Sequence, residues 1–258
     1  MNKLTSLKTC LVKFAAGLAI FTPLFFAVSA LGSRFGLWDW KFGFGVLVRN
    51  YGTKLLLLTL IVAVLALILS LVLKPRKGWM VALLALVVPL VGMGYGKSVA
   101  DKAKALPFIH DVTTDTQDVP TFTNAIISLR GAGSNSLDYV GKIDQRSKKL
   151  VSVEQVAAYP DIRTIVLSET SDIVFERALK AAKSMGWNIA SSAQGSGIQD
   201  AGMIEATATS FWFGFKDDVV IRVRPSDGGG SIVDVRSISR VGGSDLGANA
   251  ARVRKFRD

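Results

Sequence analysis

The chain predicts an α+β fold on a membrane anchor: N-terminal transmembrane helices, then a soluble β-α-β-β-β-β-α antiparallel-sheet domain of helix-grip-like order. Three observations lead there. Three long apolar runs fall within the first hundred of 258 residues, one strongly amphipathic helical pattern follows Pro160, and alternating segments typical of strands fill most of the remainder. Charge divides the chain at the same place. Residues 1–104 hold 13 Lys/Arg against Asp39 and Asp101, whereas residues 105–258 hold 18 of each sign. The net charge of +11 therefore belongs to the flanks of the apolar runs, and the soluble part has no basic excess with which to bind nucleic acid.

The membrane domain is assigned to residues 1–96, with helices at about 14–31, 55–73 and 79–95. Leu55–Leu73 is 19 residues without a charge, enough at about 1.5 Å per residue to cross a hydrocarbon layer of about 30 Å. Trp79–Tyr95 carries Pro89 and ends in two interfacial aromatics. Phe14–Leu31 follows Lys3, Lys8 and Lys13 and ends near Val28-Ser29-Ala30. It reads as a retained helix, with a cleaved signal peptide as the alternative. The loop Gly32–Gly52 mixes Phe35, Trp38, Trp40, Phe42 and Phe44 with Arg34, Lys41 and Arg49, a composition suited to the headgroup layer. Gly92 and Gly96 form a small-xxx-small pair. The dense cations of Lys74-Pro75-Arg76-Lys77, with the N-terminal lysines, place that side in the cytoplasm and the soluble head opposite. The expectation is a multi-pass protein of a bacterial inner (plasma) membrane with a periplasmic head.

Residues 97–160, poor in apolar periodicity, are expected to be a membrane-proximal connector that packs in part on the domain, and residues 161–258 the α+β domain. Thr164–Leu167 reads as a strand. Ser171 then caps a helix bearing Val174, Phe175, Ala178, Leu179, Ala182 and Met185 on one face, closed by Gly186. Trp187–Ala190 starts the next strand, followed by a Gly/Ser loop, and Met203–Thr209 alternates and runs on into Phe211–Phe215. Asp218–Arg224 and Ser231–Ser239 form a hairpin across Pro225–Gly230. A last helix starts near Asp245.

The segments Tyr159-Pro160-Asp161-Ile162, Ile204–Thr209, Phe211-Trp212-Phe213-Gly214-Phe215-Lys216-Asp217-Asp218-Val219-Val220-Ile221-Arg222 and Ser244-Asp245-Leu246-Gly247-Ala248-Asn249-Ala250 resemble the bacterial family called domain of unknown function 1499 (DUF1499). Pro107–Asp115 and Gly36-Leu37-Trp38-Asp39 resemble its membrane-anchored members, although a second proline expected before Phe108 is absent. The resemblance implies an envelope protein and carries over no activity.

Candidate sites are few. Cys10 is the lone cysteine and His110 the lone histidine, so a disulfide within the chain and Cys-based chemistry in the head are excluded. His110 with Asp111 and Asp115 is a candidate cation site, though its spacing matches no defined metal loop. Asp217 and Asp218 point to opposite faces of a strand and cannot act as a catalytic pair. No nucleophile elbow or phosphate loop is present, so the chain is expected to be non-enzymatic and without a cofactor. Arg222, Arg224, Arg236 and Arg240 share one sheet face with Asp218 and Asp234. With the C-terminal helix they are the candidate docking surface for an envelope protein partner, against a solvated, cross-strand paired face. Phe211, Phe213 and Phe215 are candidates for lining a pocket for a lipid or small apolar ligand, against simple core packing.

Overall fold

The computed structural model describes residues 3–195 and 202–258; part of the expected Gly/Ser loop lies outside them. The chain divides into two units, one running through Asp101 and including Phe211–Gly214, the other comprising Lys102–Ser210 and Phe215–Asp258.

In the first unit, α1 (Lys3–Arg34), α2 (Thr53–Val72) and α3 (Trp79–Ala105) are helical. With the helical stretch preceding α2, they give three helices long and apolar enough to cross a membrane. Their packing suits lipid rather than water. Ala15, Ala63, Ala66, Ala82 and Ala85 fill the interior, while Leu24, Leu57, Leu84 and other large side chains face outward. The Thr22 and Thr59 hydroxyls meet at 3.0 Å between α1 and α2. Lys8, buried, donates from Nζ to the carbonyls of Leu73 (3.3 Å) and Pro75 (2.6 Å), capping the C-terminal end of α2. Gly92 lies against Leu56, so close that a Cβ would sit 2.6 Å from that side chain; around Gly96 the space is open.

The loop expected over Gly32–Gly52 is mostly helical instead. Lys41–Gly52 is π-wound and runs directly into α2. Its close packing on α1 explains the difference: a Cβ on Gly43 would lie 2.0 Å from the Ser33 hydroxyl, and the Trp38 indole donates to the Ser29 carbonyl at 3.1 Å.

In the second unit a six-stranded antiparallel sheet is built from β1 (Asp111–Thr113), β2 (Ile165–Leu167), β3 (Asn188–Ala193), β4 (Gly202–Thr209), β5 (Lys216–Pro225) and β6 (Ser231–Ser239). The order is β1-β6-β5-β4-β3, and β2 pairs with the same edge of β6 as β1, further along it. The order expected after Pro160 is thus found, with α6 (Ser171–Ser184) and α7 (Ala248–Arg257) as its helices. Gly186, at φ 72°, terminates α6 as expected. Ser171 is the first residue of α6 rather than its cap, which is Thr170. α7 begins three residues later than read, because the Asp245 carboxylate caps it, accepting the N–H groups of Gly247 (2.8 Å) and Asn249 (2.7 Å).

One sheet face packs on these helices. Val219, Ile221, Val223, Val233 and Val235 meet Val174, Phe175, Ala178, Ala182 and Val253 in a single core. The Phe175 ring lies so near Gly202 that a Cβ there would be 2.6 Å away. The helix–sheet space is therefore packed at this point, with no room for an acyl chain.

The expected connector is a correction. Residues 106–160 are integral to the head: β1 joins the sheet, and Ile109, Val112, Tyr139, Val151 and Tyr159 belong to the same core. Alongside lie α4 (Asn124–Ile127) and α5 (Val151–Ala158). The buried Gln155 side chain of α5 takes the N–H of Thr113 (3.0 Å) and donates to its C=O (2.7 Å), as a neighbouring strand would. These contacts are long-range and polar, so they leave no apolar period in the sequence.

Candidate functional site

The other sheet face explains where the strand arginines go. Alternation along β4, β5 and β6 puts Glu205, Thr207, Asp218, Arg222, Arg224, Asp234, Arg236 and Arg240 on that side. Residues 114–137 cover it, with Phe122 and Ile126 packed on Val220 and Ile238. Arg236, 2% exposed, makes a bidentate pair with Asp111 (3.0 and 2.8 Å) and also donates to the carbonyls of Pro120 and Leu137. Arg240 and Arg130 converge on Asp218, at 2.7 and 2.5 Å. Arg222 and Arg224 share Asp234 at 3.0 and 2.7 Å and reach Asp118 at 3.1 and 2.9 Å. Fully buried Glu205 accepts from the Thr123 N–H and hydroxyl and from the Ser191 hydroxyl. Arg236 and Arg240 are thus buried structural groups, while Arg222 and Arg224 are part-exposed but committed to Asp234 and Asp118, so the four arginines do not form one open docking surface. Asp218 and Asp234 were legible as carboxylates on this face; Asp111 as the partner of Arg236, and the cover that turns a paired surface into a buried network, were not.

Other expected candidates also fall elsewhere. Phe211 and Phe213 occupy the turn between β4 and β5, not a strand. β4 ends at Thr209, and Gly214 adopts φ 66° in the turn. Phe211 and Trp212 are 68% and 53% exposed and pack edge to face at 5.3 Å. Phe215 immediately precedes β5, with its N–H bonded to the Ser210 hydroxyl. None of the three is part of the buried helix–sheet core. The C-terminal helix is committed inward through Ala250 and Val253. Its Phe256 stacks on Trp187, and Arg254 is held on Asp161 by two bonds of 2.7 and 2.6 Å. That pairing holds the Asp161 carboxyl down at about 2. As expected, Asp217 and Asp218 separate: Asp217 meets Arg252 on the α7 side.

The His110, Asp111 and Asp115 side chains do not converge. Asp111 is taken by Arg236, and Asp115 accepts the N–H groups of Gln117 and Asp118 in its own turn. Among the described residues no group of three His, Cys, Asp or Glu side chains could hold a metal ion.

His110 belongs instead to a recess of about 100 Å³ lined by Phe108, His110, Asn135, Lys142, Asp144 and Gly243, among others. Its Nδ1 lies 3.2 Å from the Gly243 carbonyl and its Nε2 3.1 Å from the Lys142 ammonium. A carbonyl only accepts and an ammonium only donates, which assigns the proton to Nδ1 and leaves the ring neutral. Burial, then the Lys142 charge, holds the His110 pKa below 6.5. Burial likewise lowers that of Lys142. The Asn135 amide ties this wall to the sheet by donating to the carbonyls of Ser239 and Gly242. Lys142, Asn135 and Gly243 were missed because their meeting with His110 spans 25 to 133 residues of chain and has no local signature.

The chain has an α+β head following three helices long and apolar enough to cross a membrane, the features of a membrane-associated protein. A family model described as "Protein of unknown function (DUF1499)" matches residues 111–258, and the chain belongs to that family. No curated protein and no solved structure matches the chain.

Proposed function

We propose that this protein is a non-enzymatic accessory module of the bacterial cell envelope, anchored in the inner membrane, whose periplasmic head docks an envelope partner. The cationic Lys74–Lys77 turn and the N-terminal lysines support the orientation. The observation that carries the docking role is an apolar stripe on α5. Leu150, Val153 and Val156, at three-residue spacing, are 41%, 51% and 53% exposed, and Ile143, bridged to Leu150, is 49% exposed. Val151 and Gln155 hold the opposite face of α5 in the head, so the stripe is presented on a fixed support. A rigid exposed apolar surface is characteristic of interaction sites. It replaces the arginine face as the place where a partner binds. The filled space beside Phe175 and Gly202 weighs against the reading as a lipid carrier with a helix–sheet cavity.

One cysteine tests both parts. In a full-length Cys10→Ser, Val153→Cys protein, a membrane-impermeant maleimide is expected to label intact spheroplasts, and a benzophenone maleimide at the same residue is expected to give a discrete cross-linked protein. Glu176→Cys on exposed α6 serves as the control. Labelling only after lysis overturns the orientation. Cross-linking that is absent, or the same at both positions, overturns the docking surface.

A further inference from the structure

We infer that the recess at His110 is a binding site for a small oxyanion, a phosphate or carboxylate group, with Lys142 as the recognising charge and His110 as the residue that positions it. The first argument is a census of charge around the neighbouring sheet. Arg130, Arg222, Arg224, Arg236, Arg240 and Arg252 each have a carboxylate partner. Lys142 does not: among the described residues no carboxylate lies within ion-pair distance of it. Its Nζ is engaged by the neutral His110 Nε2 at 3.1 Å and by the Ser136 carbonyl at 3.5 Å. An ammonium has three donors, so one remains.

The second argument concerns the acidic residues of the wall, which would otherwise repel an anion. Asp111 is neutralised by its bidentate pair with Arg236. Asp144, 2% exposed, turns its oxygens to the N–H groups of Arg146, Ser147 and Phe108. Asp138, whose field also reaches Lys142, accepts the Ser136 hydroxyl and makes no ion pair with Lys142. Lys142 is left as the cation of the recess without an ion-pair partner among the described residues.

The third is space. A single water needs on the order of 10–15 Å³ measured this way, so about 100 Å³ admits several waters or one small oxyanion. A charge pair in such a recess is stronger than on an open surface. Burial already depresses the Lys142 pKa, and an arriving anion offsets that desolvation. Because His110 is neutral and accepting, it aims the ammonium without cancelling its charge.

The lone histidine is its own reporter. The full chain, labelled with ¹⁵N-histidine, purified on a histidine-free tag and kept in maltoside micelles, gives ring signals from His110 alone. At constant ionic strength it is titrated separately with sodium phosphate, sodium acetate and dihexanoyl phosphatidic acid. A saturable shift of Nε2 with at least one probe is expected in the unaltered protein, reduced at least tenfold in apparent affinity by Lys142→Gln. Saturation by the free ions assigns a soluble oxyanion; saturation by the lipid alone assigns a lipid headgroup. Linear, non-saturating shifts with all three probes, or saturation unchanged in Lys142→Gln, overturn the site.

Discussion

The Gln155 side-chain amide completes the edge of β1 by engaging both the N–H and the C=O of Thr113, and its oxygen also accepts the buried Tyr139 hydroxyl at 3.0 Å. One side chain thus satisfies three buried polar groups. Gln155→Leu strands all of them, and each costs about 1–3 kcal/mol. A loss of about 3 kcal/mol or more is expected in urea unfolding of the detergent-solubilised protein. A change below about 1 kcal/mol contradicts the assignment.

Removing one member of the Asp111–Arg236 pair leaves the other buried and unpaired. Arg236→Met alone is expected to cost about 3–5 kcal/mol, and Asp111→Leu with Arg236→Met less than either single change. A double-mutant cycle on unfolding free energies checks this. Additive losses would contradict a buried pair.

His110 ties stability to pH. Its folded pKa lies below the ordinary 6.5 because of burial and of Lys142, reinforced by Arg130 and opposed by the Gly243 carbonyl and Asp111. Between the folded value and 6.5 the unfolded chain binds a proton that the folded chain refuses. Stability from this group therefore rises with pH across that window, is flat above it, and is lost as pH falls through the folded value. The His110 ring should titrate with a midpoint below 6.5 in ¹⁵N spectra, and His110→Gln should flatten the slope of unfolding free energy over that window.

The tightness of the helix–sheet contact is open to the same kind of test. Gly202→Ala drives a Cβ against the Phe175 ring and is expected to cost about 1–3 kcal/mol. Combining it with Phe175→Leu should recover part of that loss. A neutral Gly202→Ala would mean that the space is looser than the packing shows.

Lys8 bears on whether α1 is retained. Its buried ammonium caps the carbonyls of Leu73 and Pro75, an interaction a cleaved leader would not supply. Intact-mass analysis of the purified membrane protein should find α1 attached. Lys8→Met should make the Lys74–Lys77 turn more susceptible to limited proteolysis.

Much of the fold was legible where local pattern carries it. The α6 stripe with Gly186 behind it, the β5–β6 hairpin and the opposed Asp217 and Asp218 follow from periods of 3.6 and 2. The failures share a cause. An alternating polar face normally meets water, so nothing local to Arg236 announces that Phe122 and Pro120, more than a hundred residues earlier, will cover it. Phe211 and Phe213 extend an alternation that had ended at Thr209; Gly214 was the one local sign of a turn. The His110 recess depended on Gly243 and Lys142, each far away in sequence.

β6 receives β1 at Ile238 and β2 at Val233 along a single edge, so the first strand of the head waits for the last. About 125 residues separate Asp111 from Arg236, and such distant closure slows folding. During synthesis the spans up to Ala105 are finished long before the strand that locks the head exists. The head therefore stays open while its spans enter the membrane, because the strand that pairs with β1 is the last of the six to be made.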